Sequence, residues 1–232
     1  MKTGTTKKTR GNYKVTAETR RRLLEAAGEL FACHGTDAVT VRDITARAGT
    51  KPNAVSYHFG GKEGLVNAVW DFCLLRWNED RMGRYCAKND HLFKTRDGKR
   101  QLVTDLVNIF YETLYDETQP LWANLFLLRI LITAQDTTRA RAIDRLIFEI
   151  LSQVYRRITG NDDPLTARCW ALTIVCPGSF PAASATDLLH FEQIKEIDYV
   201  FFRRLQGLVT QSALYLAGLA DDQTSTVSKG NV

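Results

Sequence analysis

Residues 40–63, TVRDITARAGTKPNAVSYHFGGKE, constrain the fold more than any other stretch of this 232-residue chain. Thr40-Val-Arg-Asp43 has capping-box spacing: the Thr40 hydroxyl can satisfy a free helical N–H while Asp43 reaches back. Val41, Ile44 and Ala48 fall at i, i+3 and i+7 and give a short helix one apolar stripe. Gly49 stands where that helix would end in a left-handed residue, and Pro52 where a second helix would open. Val55 and Phe59 form an i, i+4 pair able to pack back on the first helix. Gly60-Gly61 stop the second helix, and Lys62-Glu63 open a third. Two helices of about two turns each, joined by a glycine turn, are the helix-turn-helix geometry, whose second helix suits a DNA groove.

The preceding segment completes a three-helix unit. Thr16 is the expected N-cap, Glu18 favours the helix dipole, and Leu23, Ala27, Leu30 and His34 form a stripe that Phe31 widens. Gly35 ends this helix. Arg20, Arg21 and Arg22 occupy its first turns, where the dipole prefers acids; they form either a solvated face or a face close to phosphate. The first fifteen residues carry Lys2, Lys7, Lys8, Arg10 and Lys14 with almost no apolar content, so they are expected to be mobile. Such an arm either reaches into an adjacent minor groove or has no role.

Charge follows the same division. Residues 1–62 hold twelve Lys/Arg against five Asp/Glu, a balance of +7; the whole chain holds 31 against 26, +5, so residues 63–232 carry −2. Positive charge is concentrated where phosphate attraction would need it.

LLEAAGELFACHG (23–35), VTVRDITARAG (39–49) and YHFGGKEGL (57–65) resemble the TetR family of bacterial regulators in order and spacing. AVSYHFGGKEGL is similar to the CecR-like branch, as are FLLRI, RRITG and ARCWALTIV further on. Family members commonly carry Tyr at the position of Ser56, with the neighbouring Tyr57 retained here; the departure bears on base preference and not on DNA binding itself. The resemblance implies a recognition helix over about 52–59. Lys51, Asn53 and Ser56 would offer hydrogen bonds to base edges: Asn suits adenine, Lys suits guanine, and Ser is promiscuous. Thr40, Arg42, Tyr57, His58 and Lys62 would hold phosphates, with packing or capping as the alternative for His58. Ala54, Val55 and Phe59 are assigned to packing.

Beyond residue 62 few prolines or glycines interrupt a helical apolar pattern. The expectation is an all-α fold of about nine helices: an N-terminal three-helix helix-turn-helix DNA-binding domain and a C-terminal helical ligand-binding and dimerisation domain. The expected divisions are a disordered arm (1–15), the head (16–62), the regulatory domain (63–220) and a disordered tail (221–232). Helices are predicted near 62–86, 98–116, 119–134, 137–159, 163–176 and 188–218, with 89–100 a mobile connection and 176–191 a loop. The helix from Lys62 would run unbroken from the head into the second domain through Val66, Val69, Trp70, Cys73 and Trp77.

Trp77, Phe110, Tyr111, Leu114, Trp122, Phe126 and Arg129 are the candidates to line an effector pocket, with core packing the competing role for each aromatic. Arg129, set among Leu127, Leu128, Ile130 and Leu131, needs either an acidic partner or an anionic ligand if buried. The resemblance implies a homodimer joined by its last two helices; Trp170, Leu172, Ile174, Val175, Phe201, Phe202, Leu205, Leu208, Val209 and Leu216 supply apolar surface. A twofold protein matches a palindromic double-stranded operator. The chain is thus expected to be a repressor released by a small-molecule effector, or alternatively a constitutive or protein-controlled regulator.

No phosphate loop, metal cluster or nucleophile turn suggests an enzyme, and no cofactor is expected. No segment reaches 18 uninterrupted apolar residues, so no membrane span is expected. Five cysteines, an odd number without a C-x-x-C pair, fit a reducing cytoplasm. Cys169 and Cys176 would share one helical face, as small hydrophobes or as a redox pair.

Overall fold

The computed structural model describes residues 6–75, 77, 80–115, 120–133, 136–183 and 199–220. Every regular element among them is helical, and none of these helices is long and apolar enough to cross a membrane. The chain divides into two compact units, residues 1–76 with 118–136, and residues 77–117 with 137–232.

The first unit holds α1 (Thr6–His34), α2 (Val41–Arg47), α3 (Asn53–Phe59), α4 (Lys62–Leu74) and α7 (Leu121–Thr133). The head thus groups with α4 and α7, where the sequence suggested a boundary after residue 62. Leu23, Ala27 and Phe31 of α1, Ile44, Val55, Leu65 and Val69 are fully buried and form its core. His34 is exposed and Leu30 half-buried, so the stripe of α1 turns towards Leu24, Ala26 and Ala32. α7 joins through a local device: a Cβ on Gly28 would lie 2.4 Å from the Trp122 ring, so only glycine lets that ring rest on α1. Phe72 stacks on the same indole with centroids 5.4 Å apart.

α1 starts at Thr6, ten residues before the expected cap at Thr16. The arm read as unstructured is therefore helical from Thr6. Once a helix is nucleated, extension fixes one residue per hydrogen bond, and no proline intervenes to stop it.

The helix expected over 62–86 is interrupted. α4 ends at Leu74, and α5 (Arg81–Lys88) restarts from Asp80, whose φ is +43° and whose side chain accepts from the Gly83 amide at 3.1 Å. An Asp tolerates this left-handed conformation and caps the new helix at once. The unbroken rod expected from Lys62 is corrected accordingly.

The second unit contains α5, a 3₁₀ turn (Asp90–Lys94), α6 (Arg96–Leu114), α8 (Thr137–Asp144), α9 (Ile150–Thr159), α10 (Pro164–Ala183) and α11 (Tyr199–Leu216). A π-helical turn, Arg145–Glu149, joins α8 to α9. The stretch 89–100, expected to be mobile, is tied down by its polar groups. Arg157 pairs with Asp90 at 2.7 Å and lies over the Phe93 ring, Thr95 caps α6 through the Gly98 amide, and Lys99 donates to the Ile158 carbonyl. The Arg157 guanidinium holds the Asp90 carboxyl below its ordinary value.

α10 continues through Cys176 and Pro177 to Ala183, so the expected loop is helical over 176–183. An internal proline forfeits a helical hydrogen bond. Packing against α6 offsets that loss: Tyr111 donates to the Ile174 carbonyl at 3.3 Å and Tyr115 to that of Gly178, while a Cβ on Gly178 would meet Leu114 and Tyr111 at 3.0 Å. Burial raises both tyrosine hydroxyls above their ordinary value. The rest of that loop, the first eleven residues of the helix predicted at 188 and the tail from Asp221 lie outside the described residues.

Four residues counted as dimer surface are in fact core of their own chain. Trp170, Ile174, Val175 and Val209 are buried, and the Trp170 indole donates to the Ala213 carbonyl at 2.9 Å. Leu165, Leu172, Val200, Leu208, Tyr215 and Leu216 remain exposed on α10 and α11.

Candidate nucleic-acid interface

Each joint of the head has an identifiable local cause. Thr40 and Asp43 close the capping box: the Asp43 amide donates to the Thr40 hydroxyl at 3.2 Å, and the Thr40 amide to the Asp43 carboxylate at 2.9 Å. The Thr40 hydroxyl also donates to that carboxylate at 2.6 Å, and these bonds hold the Asp43 carboxyl below its ordinary value. α2 ends in a Schellman arrangement, with the Thr50 amide on the Thr45 carbonyl at 2.9 Å and Gly49 at φ +61°. Pro52 is helical and precedes α3. Gly60 closes α3 at φ +74°, and Gly61 opens α4 at φ +129°.

These joints fix which face of α3 is outward. Val55 is fully buried and Phe59 half-buried, whereas Lys51, Asn53, Ser56 and Tyr57 are exposed, Tyr57 by 77%. His58 is half-buried with the Tyr57 ring edge-on to it at 4.9 Å. Lys62 is half-buried at the first position of α4. Gly64 sets the approach of α3 to α4, because a Cβ there would sit 1.8 Å from the Phe59 carbonyl oxygen.

Lys51, Asn53, Tyr57 and His58 line one open hollow of about 570 Å³, together with Thr19, Arg22, Gly49, Thr50 and Ala54. Thr40, Arg42, Ser56 and Lys62 are not part of its lining. Ala54, assigned to packing from the sequence, is half-buried and also faces the hollow. Thr19 and Arg22 come from α1 and Thr50 from the turn, and the sequence reading included none of them among the site residues. The arginine triplet was the available signal. Glu18 and Glu25 lie at i−3 and i+4 from Arg21 but also at i−4 and i+3 from Arg22, so spacing alone cannot sort the three.

The head sorts its cations. Arg47 pairs with Glu29 and Arg21 with Glu18 and Glu25, all exposed. Arg22, Arg42, Lys51 and Lys62 make no ion pair within 4 Å among the described residues. Cations left unneutralised on a surface are suited to phosphates.

The seven pocket candidates do not assemble into one lining within either unit. Trp122, Phe126 and Arg129 belong to the first, and Trp77, Phe110, Tyr111 and Leu114 to the second. Phe110, Tyr111, Leu114, Trp122 and Phe126 are buried, and Trp77 packs on Phe110 with centroids 5.6 Å apart. Arg129 pairs with no carboxylate within 4 Å among the described residues: its guanidinium donates to the Ala32 and Cys33 carbonyls at 3.3 and 3.0 Å, closing the C-terminal end of α1.

Cys169 and Cys176 are exposed on α10 along with Leu165 and Leu172. Burial pushes the Cys73 thiol up to about 12 and that of Cys86 to about 11.

This geometry is that of a helix-turn-helix head, and the described residues form only helices among their regular elements. Residues 23–69 match the profile of "Bacterial regulatory proteins, tetR family". The HTH-type transcriptional repressor Rv3405c of Mycobacterium tuberculosis is 47% identical over 49 residues, which cover 21% of this chain and 26% of that protein. The HTH-type transcriptional repressor KstR2 of Rhodococcus jostii is 38% identical over 66 residues, 28% of this chain and 30% of that one. The match therefore spans between a quarter and a third of those relatives. A TetR-like transcriptional regulator from Rhodococcus sp. RHA1 shares the fold, with a TM-score of 0.53 at 16% identity over 86% of this chain and 96% of its own. The tetR-type match thus lies in the head, over residues 23–69, and the fold is TetR-like.

Proposed function

We propose that the chain is a sequence-specific regulator of transcription, working in the cytoplasm as a homodimeric repressor on a palindromic operator. The observation carrying this reading is the outward face of α3: Lys51, Asn53, Ser56 and Tyr57 are exposed while Val55 anchors the helix. Asn53 and Ser56 would meet base edges, with Lys51 beside them; Arg42, Tyr57, His58 and Lys62 would meet phosphates. Thr40 would contribute less through its hydroxyl, which is engaged by Asp43. The exposed leucines of α10 and α11 support a twofold partner packed against those helices. The named repressors among the relatives support repression.

In the same proposal a small-molecule effector releases the operator by favouring a state in which the two heads are misplaced. FLLRI, RRITG and ARCWALTIV favour the CecR-like branch. The second reading, a regulator without such an effector, is supported by the filled packing of Phe110, Tyr111 and Leu114.

Selecting bound duplexes from random DNA at a stated salt concentration tests the core of the proposal. A palindromic motif is expected, and Asn53→Ala should alter one position in each half-site. No enrichment over random sequence, even at low salt, would overturn it. Screening compounds against the labelled operator then separates the two readings.

A further inference from the structure

The three arginines of α1 have different surroundings, and one of them is left over. Arg21 is held between Glu18 at 2.7 Å and Glu25 at 2.6 Å, so its charge is locally neutralised. Arg20 lies over the Phe59 ring at 4.8 Å, where it packs on α3. Arg22 makes no ion pair within 4 Å among the described residues and lines the hollow beside Lys51, Asn53, Tyr57 and His58. A carbon built on Gly49 would be 3.8 Å from its Nη1, which places the guanidinium at the turn between α2 and α3. No carboxylate lines this hollow.

We infer that Arg22 is a DNA contact supplied by α1, from outside the helix-turn-helix. It binds the sugar–phosphate backbone of the strand that flanks the base-reading face of α3, beside Tyr57 and His58 on the same hollow. The inference rests on the DNA-binding reading above and adds an element to it. The chemistry selects phosphate. A guanidinium fork matches two phosphate oxygens, and the Lys51 ammonium on the same hollow adds positive potential. At about 570 Å³ the hollow is far larger than a single anion needs and is open along one side, so it accommodates a passing strand. Thr19 forms the wall, its own hydroxyl donating to the Val15 carbonyl at 2.9 Å.

The test compares salt dependence in the full chain on the selected operator. Each phosphate neutralised adds roughly 0.9 to the slope of log K against log salt. Arg22→Ala should therefore lower the slope by about one unit and weaken binding roughly tenfold, with the base motif unchanged. Arg22→Lys should keep most of the slope, and Arg21→Ala should leave it unaltered. Unchanged thermal midpoints keep folding out of the comparison. A wild-type slope in Arg22→Ala overturns the inference and leaves the DNA-binding reading intact; absence of DNA binding by the wild type overturns both. A changed motif at an unchanged slope makes Arg22 a base reader and rejects the phosphate assignment. Inorganic phosphate that binds the wild type but not Arg22→Ala, with operator slopes equal, assigns the hollow to a free anion and rejects it as well.

Discussion

Replacing Gly64 by alanine tests the geometry that positions the recognition helix. A Cβ on Gly64 would stand 1.8 Å from the Phe59 carbonyl oxygen and 3.0 Å from the carbonyl carbon. Real contacts of this kind do not fall below 3.0 Å, so α3 and α4 must part by about 1.2 Å. The obstacle is backbone, and no rotamer change can relieve it. Overpacking costs typically about 1–3 kcal/mol, and a backbone clash belongs at the top of that range. Alanine returns about 1 kcal/mol through its helix propensity, leaving a net loss of about 2 kcal/mol. For a chain of this size that lowers the melting midpoint by about 4–8 °C. Parting the helices also shifts Lys62 relative to Asn53, so operator affinity should fall beyond what the unfolded fraction explains. Gly60→Ala is the control: nothing lies within 4 Å of its Cβ position, so it carries only left-handed strain of about 1–2 kcal/mol. Calorimetric melting and fluorescence anisotropy on one operator duplex read both quantities. A Gly64→Ala protein melting at or above the wild-type midpoint would falsify the close-approach argument.

Thr40→Ala removes the hydroxyl that caps α2 and should destabilise the head by about 1 kcal/mol, read as a lower denaturation midpoint. It should also return the Asp43 carboxyl towards its ordinary value. Because that carboxyl is depressed in the folded protein, its stabilisation is full above 3.8, its ordinary value, and fades as pH falls through the lower folded value. The difference between wild type and Thr40→Ala should therefore narrow in acid; a pH-independent gap rejects the coupling. Cys169 and Cys176 share the exposed stripe of α10 with Leu165 and Leu172. If that stripe meets its twofold copy, mild peroxide should give a species of twice the chain mass on a non-reducing gel. The doubly serine-substituted chain should stay single, and a monomeric mass by light scattering at micromolar concentration would reject the dimer.

The head was legible because its joints are local. Thr40 with Asp43, Gly49, Gly60 and Gly61 each act within a few residues, and each occupies the structural position its chemistry requires. Those cues also fixed the outward face of α3, since Val55 could only turn inward. The failures involve long-range partners. Nothing local distinguishes Arg22 from Arg21, and nothing near Arg129 points to the Ala32 and Cys33 carbonyls nearly a hundred residues earlier. Gly28 reads as a neutral helix glycine until the Trp122 ring lies against it. The break before Asp80 was hidden by an apolar spacing that continues through it. Trp170 and Leu172 looked alike as interface residues, but helix phase sends one to the Ala213 carbonyl and the other outward.

The same long-range contacts tie α7 to the head. Among the contacts that hold α7 to α1 are Trp122 against Gly28 and Arg129 on the last carbonyls of α1. α1 in turn shares its core with Val55 of α3 and Leu65 of α4. α7, α1 and α3 are thereby linked through packed side chains and one charged clamp. Native-state hydrogen exchange tests this directly, because segments that open together share one opening free energy. The slowest amides of α7 should match those of α1 and α4 in the wild type. Arg129→Met keeps the apolar stem but removes the donors, at a cost of about 1.5–3 kcal/mol for hydrogen bonds from a charged group. In that variant α7 should open earlier, while α1 to α4 retain their own protection. If α7 already exchanges through a separate, cheaper opening in the wild type, the clamp does not make one body of the two.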